Sequence, residues 1–180
     1  MKNVFKATAL AALLASTLAM AASVHLKPPH RNPTFVDQGL SMQVAGSLAG
    51  LGNGDVVISL SAVGNTVATC TNPAGQTQPP GQNPAPSTLT GSQIIPEDAV
   101  KNGSVSFNVQ TTTATSPIPG APGCPNPQWT ETVVDVAFTS FVLTVEQPAT
   151  VVVLQLTCTS SVPTVNGTVN PSSIACVVTK

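Results

Sequence analysis

Alternation with a period of two runs through most of this chain, and it limits the fold more than any other feature. Met42, Val44, Gly46 and Leu48 alternate with Ser41, Gln43, Ala45 and Ser47. Val56, Ile58, Leu60 and Ala62 repeat the pattern, and Val105, Phe107 and Val109 alternate with Ser104, Ser106 and Asn108. Such spacing puts one apolar row on one face of a strand. No segment shows the three-to-four spacing of an amphipathic helix. Thr66–Cys70 is expected to continue the sheet, and Thr88–Ile95 reads as a further short strand. Val151–Cys158 and Ser173–Thr179 are the last strands. Pro96–Val100, with Glu97 and Asp98 at its start, fits one helical turn or a plain turn.

The apolar stretch after Trp129 carries a phase error. Val134, Val136 and Phe138 share one parity, whereas Phe141, Leu143 and Val145 share the other. A one-residue slip sends every side chain to the opposite face. A bulge or strand break is therefore expected near Thr139-Ser140. Asn53-Gly54, between two alternating runs, is read as a hairpin turn. Residues 71–86 and 111–127 are Pro/Gly/Thr-rich and read as long surface loops. The whole predicts an all-β chain: a β-sandwich of about seven or eight strands, immunoglobulin-like or Greek key.

The beginning of the chain reads differently. Lys2 and Lys6 precede the uncharged apolar run Ala7–Met20, and Ala19-Met20-Ala21 offers small residues for signal peptidase. The apolar run is shorter than the ~20 residues of a membrane-spanning helix. Residues 1–21 are thus expected to be a signal peptide. Residues 22–39, with Pro28, Pro29, Pro33 and both histidines, read as an extended segment, and 40–180 as the sandwich domain. The expected location is secreted, cell-surface or periplasmic.

Export bears on the cysteines. Cys70, Cys124, Cys158 and Cys176 are even in number and suit two disulfides in an oxidising compartment. Cys70-Thr-Asn72-Pro73 and Cys124-Pro-Asn126-Pro127 share a C-x-N-P pattern, which suggests a common end of the fold. Cys158 and Cys176 occupy matching inward positions on two C-terminal strands. The expected pairs are Cys70–Cys124 and Cys158–Cys176. Their spacings lack the close ligand pairs of a zinc site.

Charged residues make only 7% of the 180 residues, against roughly 25% in a typical soluble domain. After residue 21, four basic residues (Lys27, Arg31, Lys101, Lys180) face seven acidic ones. That excludes the electrostatic footprint of a nucleic-acid binder, and Ser, Thr, Asn and Gln take over the outward positions. Few groups remain for acid–base chemistry. His25 and His30 lie in the extended segment, away from any rigid support for a hydrolase triad. They offer at most incidental capture of a copper or nickel ion. Glu131 and Asp135 lie four apart on one strand, on one face and ~13 Å apart, too far for a glycosidase pair unless a partner strand brings Glu146 near. They read as solvent-face acids, as do Asp37 and Asp55, with Glu97-Asp98 in a first turn. Phe35, Phe107, Phe138 and Phe141 read mainly as core, and Trp129 as core or a loop anchor, which leaves little for a sugar platform. Asn102-Gly-Ser104 and Asn166-Gly-Thr168 are formal glycosylation sequons.

The run LAGLGNGDVVISLSAVG (48–64), with CTNPAG (70–75), PPGQNP (79–84) and CPNPQW (124–129), resembles small secreted bacterial β-rich proteins of uncharacterised role. The resemblance implies export and a β-rich domain and brings no activity, cofactor or catalytic residue. The expected function is that of an exported, non-enzymatic sandwich with a surface or extracellular structural or interaction role that extends to self-association, with no cofactor and no membrane span in the mature chain. The alternatives are a secreted inhibitor or small-ligand binder using the two Pro-rich loops, and a secreted hydrolase.

Overall fold

The computed structural model describes residues 23–28, 32–81 and 83–180. The expected signal peptide, His30 and Arg31 lie outside the described residues. The elements are β1 (His25–Leu26), β2 (Thr34–Asp37), β3 (Met42–Ala49), β4 (Val56–Thr71), β5 (Thr77–Gln78), β6 (Ser87–Ile95), β7 (Ser104–Gln110), β8 (Thr130–Glu146), β9 (Val152–Ser160), β10 (Gly167–Thr168) and β11 (Ile174–Val178). Short 3-10 turns cover Glu97–Ala99 and Pro171–Ser173. No α-helix occurs among the described residues, and none is long and apolar enough to cross a membrane.

These strands form two antiparallel sheets. In the first, β3 has β7 along one edge and both β2 and β1 along the other, and β10 pairs with β2. In the second, the order is β11-β9-β8-β4, and the outer edge of β4 takes β6 and β5. The inner faces meet in one core. Phe35, Met42, Val44, Leu48, Phe107 and Val109 come from the first sheet, and Ile58, Leu60, Phe138, Phe141, Leu143, Leu154 and Leu156 from the second. Phe35 and Phe141 join the layers with ring centroids 4.8 Å apart. Each such buried side chain contributes ~1.5–3 kcal/mol relative to exposure. Two face-to-face antiparallel sheets over one core define a β-sandwich.

Residues 23–28 and 32–39 are extended, as their prolines suggest, and they also belong to the sandwich. Phe35 is buried, and β1 and β2 both hydrogen-bond to β3. Pro28 and Pro33 lie outside the paired residues of these two strands, where no ladder hydrogen bond is needed.

The connection at Asn53-Gly54 is not a hairpin. β3 belongs to the first sheet and β4 to the second, so residues 50–55 form an arch between layers. Local turn chemistry describes the bend but not which strand lies beyond it. The arch is held by buried Gln147, whose Oε1 accepts from Gly52 N (2.7 Å) and whose Nε2 donates to the carbonyls of Gly52 and Gly54 (both 2.9 Å).

β8 carries two irregularities. Val63 pairs with Ser140 and Gly64 with Phe138, which leaves Thr139 as the extra residue at the expected position. A second shift leaves Val134 unpaired, between Val67↔Asp135 and Ala68↔Val133. Val134 is consequently exposed rather than inward, while Glu131 and Val133 turn into the interior. Gly64 lets the bulged strand lie close, since a Cβ there would stand 2.7 Å from Val136 Cγ1 and 2.9 Å from the Ala137 carbonyl.

Candidate functional site

Both disulfides form with the expected pairing. Cys70 is the last residue but one of β4, and Cys124 lies in the long loop before β8, so their bond ties the two Pro-rich loops together at one end of the sandwich. Gly81 N donates to the Gly123 carbonyl (3.0 Å) beside it. The shared C-x-N-P pattern has a shared physical role. Asn72 Oδ1 accepts from Ala74 N, and Asn126 Oδ1 accepts from Gln128 N, so both asparagines make the same side-chain turn (2.9 and 3.0 Å). Trp129 is half-buried at the foot of this loop, and its backbone N–H donates to the Asn126 carbonyl.

Glu131 is not a solvent-face acid. It is 1% exposed, lies opposite Cys70 on the neighbouring strand, and accepts from Gly123 N through Oε2 (2.9 Å). Its backbone carbonyl accepts from Ile118 N. The carboxylate thus anchors the 111–129 loop beside the disulfide. The Val134 bulge breaks the same-face relation expected between Glu131 and Asp135. Glu146 sits at the far end of the same strand, where Oε2 accepts from Thr150 N, so no partner strand brings it to Glu131.

Asp135 instead faces Asp37, which is also buried rather than solvent-facing. Asp37 Oδ1 accepts from Gly39 N (2.8 Å), and Oδ2 accepts from the Thr164 hydroxyl. That hydroxyl accepts in turn from Phe138 N (2.9 Å), and the Gly39 carbonyl accepts from Val136 N (2.8 Å). This latch joins β2, β8 and the loop before β10. In Asp135, Oδ1 is shielded from solvent and has no hydrogen-bond partner among the described residues. Burial, and then the neighbouring Asp37 charge, raise its pKa above the ordinary aspartate value, against a smaller lowering by the Val136 backbone N–H.

The remaining candidates are dispersed. His25 is exposed on β1, with Nδ1 2.8 Å from the Ser23 carbonyl. Asp55 Oδ1 accepts from Glu97 N (2.9 Å) and so holds the start of the 3-10 turn, where Glu97 and Asp98 are exposed. Asn102 and Asn166 of the two sequons are exposed. Among the described residues no three His, Cys, Asp or Glu side chains gather in a metal-binding group.

Two surfaces have the continuity that an interaction needs. One is the outer face of the second sheet. Ser92, Ser59, Thr144 and Gln155 lie in register across four strands, continued by Thr179 just past β11, and Thr90, Ser61, Val142, Thr157 and Val177 form the next row across five. Neither row contains a charge. The other is the edge strand β11, beside a mainly apolar cleft of about 210 Å³ lined by Val24, His25, Leu26, Leu154, Leu156 and Val178. The inward row expected on β11 holds for Ile174, while Val178 is 62% exposed at this cleft. The chain belongs structurally to the two-layer antiparallel β-sandwiches with two disulfides. No protein-family model, curated protein or solved structure matches it.

Proposed function

We propose that this is an exported, non-enzymatic β-sandwich protein that works through its surface in a structural or interaction role outside the cytoplasm and associates with its own copies. Within the sandwiches we place it with the immunoglobulin-like and Greek-key folds. The chain crosses between sheets after β3, β6, β7, β9 and β10, and the sequence-adjacent pairs in the second sheet are β4–β5 and β8–β9. Support for export comes from the amino-terminal pattern of Lys2, Lys6 and Ala7–Ala21 together with two disulfides, which persist in oxidising compartments.

The observation that carries the interaction role is the pairing of two adjacent charge-free rows on the outer face with an open edge strand stapled by Cys158–Cys176. Asp37, Asp55, Glu131 and Glu146 each hold a different piece of backbone through a side-chain hydrogen bond, which favours a surface role over a hydrolase. The test is to express the full chain in a bacterial host and weigh the product from cytoplasm, periplasm and medium. Export gives a mass beginning at Ala22 with both disulfides intact. An unprocessed, reduced chain confined to the cytoplasm would end this reading.

A second reading has its own observation. The loops at 71–86 and 111–127 are clamped to each other by Cys70–Cys124 and the Gly81–Gly123 bond. Pre-ordered loops lose less entropy on binding, which suits an inhibitor or ligand binder. Retention of a specific extracellular protein on immobilised wild type, lost when Pro79, Pro80, Pro125 and Pro127 are replaced by Ser, is the expected result if this reading holds.

A further inference from the structure

We propose that β11 is a homodimerisation edge, on which a second copy of the chain adds its own β11 in antiparallel register about Cys176. This rests on the self-association in the reading above and names its surface.

The hydrogen-bond phase of the β9–β11 pair sets which groups are available. Ser161 N donates to the Ser173 carbonyl and Thr179 N to the Gln155 carbonyl (2.8 and 2.9 Å). These mark the hydrogen-bonded pairs of a ladder in which such pairs alternate. Register places Ile174, Cys176 and Val178 opposite Ser160, Cys158 and Leu156, at the intervening positions. The 4.0 Å separation of the Cys158 and Cys176 Cα atoms agrees with the close spacing of a non-hydrogen-bonded pair. The backbone groups of Ile174, Cys176 and Val178 therefore point away from β9. Ile174 N is used by the Pro171 carbonyl. The Ile174 carbonyl and both backbone groups of Cys176 and Val178 have no partner among the described residues.

The other long edges are partly closed: β6 and β7 meet at the seam between the sheets, where Asn108 N donates to Gln93 Oε1 (2.9 Å). Gln110 and Thr112 lie over β6, where Thr112 N donates to the Thr90 carbonyl (2.8 Å). Ile118, Gly39 and Thr164 close the amino-terminal half of β8. β1, β5 and β10 have two residues each. Open edges are commonly guarded by charge, proline or a bulge. β11 has none of these: residues 172–179 carry no charge and no proline, and its pairing with β9 is unbroken.

A second copy fits this edge on chemical grounds. An uncharged strand meets its own copy without like-charge repulsion. Pairing about Cys176 sets Cys176 against Cys176 of the second copy, with two reciprocal N–H···O=C bonds. Val178 N then donates to the Ile174 carbonyl of the other copy, twice by symmetry. The spent N–H of Ile174 is not needed. On the outer face Ala175 lies beside Val177 of the second copy, and Val177 is 63% exposed in the single chain. Such an interface is isologous and closes as a dimer.

The test uses the chain from Ala22 in sedimentation velocity from micromolar to millimolar concentration. A one-strand interface is small, so a weak, concentration-dependent dimer is expected. Ala175→Lys with Val177→Lys sets lysines against lysines and is expected to weaken the dimer by about tenfold or more. Ala175→Glu with Val177→Lys sets opposite charges together and is expected to keep it. Both sites are exposed, and thermal melts check folding. In wild type, amide exchange at Cys176 and Val178 is expected to slow as concentration rises. A monomer at every concentration, an unaffected double-lysine variant, equal weakening in both variants, or concentration-independent exchange at these amides would each overturn the proposal. A monomer would leave export standing, because that reading is judged by processing and fractionation.

Discussion

At the scale of single residues, the informative positions are the acids that turned out to be internal. Asp135 has a raised pKa, so the folded chain holds its proton more tightly than the unfolded chain does. Its stabilising contribution is full below the ordinary aspartate range and is lost as pH rises through the raised folded value. Asp135→Asn is therefore expected to raise Tm at pH 7, with the gain shrinking towards zero in acid; calorimetry across pH reads it, and equal Tm at pH 7 would refute it. Thr164→Val removes the hydroxyl that both donates to Asp37 and accepts from Phe138 N. Two buried groups lose a partner, so a loss of about 2–4 kcal/mol in urea unfolding is expected. Neither site was legible from residue type. Asp37 and Glu131 look like surface acids until a latch or a bulge turns them inward, and only contacts distant in sequence do that.

At the scale of elements, strand positions were largely readable, because a half-buried strand must alternate. The Thr139 bulge was readable too, since the apolar parity changes across it. The Val134 bulge was hidden, because Val134 matches the parity of Val136 and Phe138 and only Glu131, a polar residue, shares the true inward phase with Val133. Glycine shows a related limit. Gly91 sits where β7 passes over β6, and a Cβ there would stand 1.9 Å from the Gln110 carbonyl oxygen. Gly91→Ala has to push the two strands apart, which breaks the Thr112–Thr90 hydrogen bond. We expect a loss of about 2–3 kcal/mol in denaturant unfolding and faster amide exchange at Thr112. An unchanged Thr112 exchange rate would show that the seam accommodates the methyl group.

At the scale of the molecule, the two disulfides close loops of different length. The Cys70–Cys124 separation is 54 residues and that of Cys158–Cys176 is 18. Chain-entropy arguments give about 4 and about 3 kcal/mol respectively. Replacing Cys70 and Cys124 by Ala is thus expected to lower stability more than replacing Cys158 and Cys176. The Cys158–Cys176 change, however, is expected to loosen the β11 edge specifically, seen as faster exchange at Val177 N–H with Phe141 unaffected. Equal protection loss throughout the chain in both variants would argue against separate roles. The sequence by itself determined the class of the fold, the cysteine partners and the polar, charge-poor outer surface. Each of these follows from local periodicity or local motif: alternation makes strands, and matching C-x-N-P turns or matching inward positions place sulfurs together. Only the tertiary structure decided that Asn53-Gly54 arches between sheets, that β1 and β2 are built into the first sheet, that Glu131 and Asp37 are interior, and that β11 presents an open, uncharged edge. Those outcomes depend on which strand lies beside which, and strand partnership is set by core packing across the whole chain rather than by any segment alone.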